Sequence, residues 1–183
     1  MDSAIDVRPA DVVAFWRDAG PDAWFKRDDA FDACFRKRFD AAHFAAARRE
    51  LEHWNASGDG ALALQLLLDQ YPRNCFRDSG HAFATDPLAR HYADAAIAAG
   101  VDRQVDPALR VFVYLAFEHA ENAAQQARAV ELIRLLGDRA YLDYAIAHQN
   151  VIARFGRFPH RNRALGRRNS DDEQAWLDAG GGF

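Results

Sequence analysis

The sequence predicts an all-α protein, on three observations: apolar residues recur at helical spacing along nearly the whole chain, alanine is abundant, and alternating strand-like runs rich in β-branched residues are missing. About nine helices joined by short loops follow from the positions of the chain's start and stop signals. Arg8-Pro9 opens the first, which carries Val12, Val13, Phe15 and Trp16, and Gly20-Pro21 closes it. A second runs from about Asp28 through Phe31, Phe35 and Phe39. A third is expected to begin near Asp40, with Phe44, Ala47 and Leu51 on one face, and to end around Trp54, before Ser57-Gly58. The fourth spans Asp59 to Tyr71, where Pro72 is expected to forbid continuation because it lacks an N–H and clashes with the preceding turn.

Thr85-Asp86-Pro87 starts the next helix and Gly100 stops it; Asp106-Pro107 repeats the starting device. The apolar stretch Leu109 to Leu136 reads as two helices with a break between His119 and Asn122. Gly137-Asp138 precedes a helix from Arg139 to Phe155, and Ser170-Asp171-Asp172-Glu173 is a capping box that opens a short last helix. The Gly180-Gly181-Gly182-Phe183 tail is expected to be flexible except at its terminal aromatic.

The 183 residues are expected to form one domain, residues 1–183, whose core needs no staple. Half of the residues are hydrophobic and 27% are charged, the composition of a folded chain rather than a disordered one. No apolar run is long enough to span a bilayer, and the start Met1-Asp2-Ser3-Ala4-Ile5 lacks a basic-then-apolar leader pattern, so the expected location is cytoplasmic and no membrane partner is expected. Cys34 and Cys75 lie in unrelated settings and are expected to be buried thiols.

Chemistry concentrates after the eighth helix. From Arg154 to Arg168 stand six arginines (154, 157, 161, 163, 167 and 168) and no acid, on a chain of net charge -4. A local cationic patch implies an anionic partner, and guanidinium forks suit carboxylate or phosphate. The acidic balance of the whole argues against nucleic acid, whose binders are basic across a face. Tyr71-Pro72-Arg73-Asn74 and Phe158-Pro159-His160-Arg161-Asn162 echo each other: an aromatic, a proline, then Arg-Asn after a helix. Either a shared turn geometry explains the echo, or two helix ends converge on one ligand.

Asp69, in the last turn of an apolar helix, sits against the macrodipole and has Arg73 four positions on, so it is either a structural pair or the general base of a pocket. His148 shares a helical stripe with Tyr141, Tyr144, Ile152 and Phe155 and points to the core or to a pocket floor. The acids of Glu118-His119-Ala120-Glu121 either cap the following helix or, as His119 with Glu121, orient an acid-base pair. No His-x-x-x-His spacing joins His119, Glu121, His148 and His160, so no metal is expected, and neither a phosphate-binding loop nor a nucleotide fingerprint specifies a cofactor.

Leu68-Asp69-Gln70-Tyr71-Pro72-Arg73-Asn74, Ala84-Thr85-Asp86, Phe117-Glu118-His119-Ala120-Glu121 and Arg154 to Asn162 with Leu165-Gly166-Arg167 resemble, in order, the motif series of the bacterial domain-of-unknown-function family 924. The likeness extends from Val13-Ala14-Phe15-Trp16 to the C-terminal aromatic and implies a tetratricopeptide-like, right-handed stack of antiparallel helices. Two positions depart from the family pattern: Ala120 stands where Ser is common, and Asn169-Ser170 where Ser-Thr is common, so a mechanism that needs either missing hydroxyl does not transfer.

The resulting expectation is a pocket for a small anionic ligand. Arg73, Arg154, Arg157, Arg161 and Arg167 would grip it, Asn74, Asn162 and His148 would orient it, and Asp69, His119, Glu121 or His160 would move protons if a reaction occurs. The alternative is a helical-repeat module that accepts a peptide in the same basic groove. Trp24, Trp54 and the phenylalanine-rich first third are the expected face for a homodimer.

Overall fold

The computed structural model describes residues 6–183, and the reading that Met1 to Ile5 lack a leader pattern concerns residues outside them. Every regular element among the described residues is helical, in agreement with the sequence. The chain divides into two compact units: Met1–Arg77 with His81–Ala116, and Asp78–Gly80 with Phe117–Phe183.

Unit 1 holds α1 (Pro9–Ala19), α2 (Pro21–Trp24), α3 (Asp29–Ala47), α4 (Gly58–Gln65), α5 (Tyr71–Cys75) and α6 (Asp86–Ala98), with short 3-10 turns at Glu52–Ala56 and Val101–Gln104. Its core is aromatic. Trp16, Phe35, Phe39, Tyr71 and Phe112 are sealed from water, with Phe112 edge-on to Trp16 at 5.3 Å between ring centroids. Trp24 Nε1 donates to the Trp16 carbonyl at 2.7 Å, so this buried indole keeps its hydrogen bond. Trp24 and Trp54 are therefore buried in unit 1 itself.

Two boundaries differ from the sequence reading. No helix begins at Asp40: α3 runs through it, because Asp40 accepts a 2.7 Å bond from the Tyr71 hydroxyl instead of capping backbone N–H groups. Asp28 does the capping, accepting from Ala30 and Phe31. Nor does Pro72 end the fourth helix. Leu66–Gln70 widen into a π turn in which the Tyr71 N–H reaches the Leu66 carbonyl, and the chain enters α5 with Pro72 in its first turn, where no N–H is needed. Cys34, expected inside, is exposed, whereas Cys75 is buried.

Helix α7 (Val111–Glu118) passes from unit 1 into unit 2, which then holds α8 (Ala123–Arg134), α9 (Arg139–Phe155), a 3-10 turn at Pro159–Arg161 and α10 (Asp171–Asp178). Helices α8 and α9 pack extensively as a hairpin whose turn contains Gly137 at φ +76°, a left-handed conformation that costs other residues steric strain. Each helix has its own cap: Asn122 for α8, Asp138 for α9, and the expected Ser170–Glu173 capping box for α10. Gly156 ends α9 in the left-handed conformation and frees Phe158 to pack on Val151 and Ile152. No helix among the described residues is long and apolar enough to cross a membrane.

Removing the sealed Phe35 ring by Phe35→Ala should cost about 3–5 kcal/mol. Gly60→Ala should also destabilise despite alanine's better helix propensity, because its added methyl would collide with the Trp54 carbonyl. Urea unfolding midpoints of the two variants against the parent check both.

Candidate functional site

In unit 2 the segment after α7 is tied down by its backbone. Gln126, wholly buried on α8, donates from Nε2 to the carbonyls of Glu118 and Ala120, the latter at 2.8 Å, so the loop cannot swing away from α8. Arg161 Nη1 donates to the His119 carbonyl at 3.0 Å, and its guanidinium lies over the Phe158 ring at 4.4 Å. Around that ring stand His148 at 5.6 Å and His160 at 5.5 Å between centroids, and His119 lies 6.1 Å from His148. Separate stretches of sequence thus bring His148, His160 and Arg161 around one aromatic, with His119 beside His148.

His148 is buried, and its Nδ1 lies 2.9 Å from the Tyr144 carbonyl and 3.3 Å from Glu118 Oε1. Both neighbours accept, so Nδ1 carries the proton and Nε2 the lone pair. Burial first, then the electrostatic influence of His119, with smaller contributions from Arg161 and His160, pushes the His148 pKa down to about 3, although the Tyr144 carbonyl opposes the shift. The contact with Glu118 is therefore that of a neutral imidazole beside a carboxylate, not an ion pair. Phe183 stacks on the imidazole face at 3.6 Å and 13°, so the tail's aromatic is placed as expected.

Two arginines of the segment are paired with acids from outside it. Arg157 forms a fork with Glu173 of α10, at 2.6 and 2.7 Å, and Arg167 forms another with Glu121, at 2.7 and 2.8 Å. Asn162, fully buried, donates to Asn169 at 2.8 Å and lies 3.4 Å from Glu173. Arg154 is exposed and lies over Phe155. Glu121 does not cap α8, as one reading of the sequence had it; besides Arg167 it accepts the Phe158 N–H at 2.8 Å. Burial pushes its pKa up, but these bonds and the charges of Arg167 and Arg161 outweigh that and leave it lowered.

Asp69, Arg73 and Asn74 belong to unit 1. Asp69 is wholly buried, 3.0 Å from Arg73 and bonded by Gln70 at 2.7 Å, and Arg73 reaches on to Asp86 at 2.8 and 2.9 Å. Asn74 donates to Asp32, which Arg77 also holds. The Asp69-Arg73 pair read from their spacing is present, extended by Asp86. Sequence reading missed Glu118 as a neighbour of His148, because only adjacency to His119 marked it. It also missed an imidazole pair in unit 1, where Nε2 of the buried His43 lies 2.9 Å from Nε2 of the half-buried His81.

Fold and site together define an all-helical protein whose second unit gathers imidazoles and arginine around an aromatic ring. The family model described as bacterial protein of unknown function, DUF924, matches residues 12–181, and the chain belongs to that family. A solved structure described as a protein of unknown function from Agrobacterium tumefaciens is 54% identical, with a TM-score of 0.90 over 93% of this chain and 97% of that one. Among curated proteins, none matches.

The Arg157 fork, followed by burial working against it and by the Ser170 N–H, holds the Glu173 carboxyl at about 2 against an ordinary 4.5. A lowered acid adds stability that is complete above about pH 4.5 and is lost as pH falls toward 2. Chemical-denaturant titrations across that window should therefore show a steeper acid loss in the parent than in Glu173→Gln.

Proposed function

We propose that the family member binds a small phosphate- or carboxylate-bearing molecule in unit 2, at the group formed by His119, His148, His160 and Arg161. The observation that carries this reading is the convergence of His148, His160 and Arg161 around Phe158, with His119 beside His148, from stretches far apart in sequence. The Arg161 guanidinium in a partly desolvated setting favours an anion, and the ring offers an apolar floor for the rest of the molecule. Arg157 and Arg167 take supporting parts in this reading: their forks to Glu173 and Glu121 hold the loops on which His160 and Arg161 stand. Arg73 and Asn74 are taken as structural, held by Asp69, Asp86 and Asp32.

His160 is only half-buried, so His160→Ala should leave the fold intact. In a thermal-shift and calorimetric screen of inorganic phosphate, pyrophosphate and small di- and tricarboxylates, at least one should raise the melting temperature of the parent in a concentration-dependent way. Affinity for that compound should fall at least tenfold in His160→Ala and in Arg161→Lys, and stay unchanged in the exposed Arg154→Ala. Loss in Arg154→Ala with retention in the other two would sink the assignment.

A further inference from the structure

We propose that Glu118, His119 and His148 form a binding site for a divalent transition-metal ion. One carboxylate oxygen of Glu118 and one ring nitrogen from each histidine all lie within 4.8 Å of one another. Two imidazoles and a carboxylate are a donor set suited to zinc and its neighbours, and three protein ligands leave a coordination position open for a further molecule.

The local fold explains how adjacent residues reach one point. Within a continuous helix, side chains at i and i+1 diverge and do not face each other. Helix α7 ends at Glu118, and the chain turns there, the Ala120 N–H bonding the Phe117 carbonyl at 3.1 Å, so His119 is released from the helical direction. His148 approaches from the middle of α9. Its ring plane is fixed by the contacts of Nδ1 with the Tyr144 carbonyl at 2.9 Å and Glu118 Oε1 at 3.3 Å, the kind of outer hold a metal-bound imidazole has. Phe183 covers the face of that ring and not its edge, so stacking shields the site from water without occupying a ligand position.

Two magnitudes bear on the fit. Zinc–nitrogen bonds near 2.0 Å put neighbouring tetrahedral ligand atoms about 3.4 Å apart, so the three must draw in by up to about 1.4 Å. Half-buried His119, outside the helix, can supply that by side-chain rotation. The Arg161 guanidinium, which donates to the His119 carbonyl at 3.0 Å, brings a positive charge that weakens the hold on a dication. The same charge favours an anion on the open coordination position, but the metal proposal does not require one.

Cobalt(II) titrated into the whole, tag-free protein tests it. The parent should take up one equivalent with the visible absorption bands of a low-symmetry site, and X-ray absorption of the loaded protein should count two imidazoles in its coordination sphere. His119→Ala and Glu118→Gln, with folding checked by circular dichroism, should weaken uptake by more than about 100-fold, beyond the 10- to 100-fold that outer neighbours contribute. His53→Ala and His91→Ala, at exposed positions, should change nothing. Uptake and spectrum equal in parent and His119→Ala, or no more than one imidazole in the parent's coordination sphere, would overturn the site without touching the anion reading, whose screen is run in chelator.

Discussion

Unit 2 depends on the pairing of Arg167 with Glu121. Residues 156 to 170 contain one 3-10 turn and little other regular structure, so few of their backbone groups are satisfied by a helix. Glu121 supplies what is missing: one oxygen receives the Phe158 N–H, and both receive the Arg167 fork. Glu173 repeats the device from α10, taking Arg157, the Ser170 N–H and the edge of Asn162. Two carboxylates thus organise a loop that has no acid of its own. Breaking one member of such a pair leaves the other charge partly buried and uncompensated, which is why these contacts act as constraints rather than as surface decoration.

That constraint places the candidate chemistry. With Phe158 fixed beneath the loop, His160 and Arg161 stand on the same short turn, and Gln126 holds the backbone around His119 from the other side. His148 comes from α9, a rigid helix. The titratable groups are therefore held by elements fixed through several hydrogen bonds and ion pairs, a condition that favours preorganisation. Unit 1 uses its charges differently: Asp69, Arg73 and Asp86 form one closed network, and Asp32, Asn74 and Arg77 another, both structural in geometry.

Much of this was legible in residues. The helix starts at Pro9, Asp86 and Asp171, and the stop at Gly156, follow from local backbone chemistry that operates over three or four residues. The Asp69-Arg73 pair followed from helical spacing. The errors have local causes too. Asp40 has the chemistry of a cap, yet a tyrosine from 31 positions away claims its carboxylate. Pro72 is a helix breaker wherever an N–H is needed, and a π turn removes that need. Arg157 and Arg167 looked uncompensated because their acids, Glu173 and Glu121, lie outside the segment.

The sequence by itself determined the fold class, most helix ends, and which stretches carry imidazole and guanidinium groups, since propensity, capping and periodicity act between near neighbours. Only the tertiary structure decided which of those groups are neutralised and which are gathered. Charge pairing falls off with distance in space and not along the chain, and Glu121 meets Arg167 across 46 residues of sequence. The same reason brings Glu118 and His119 beside His148, an assembly that no residue spacing discloses.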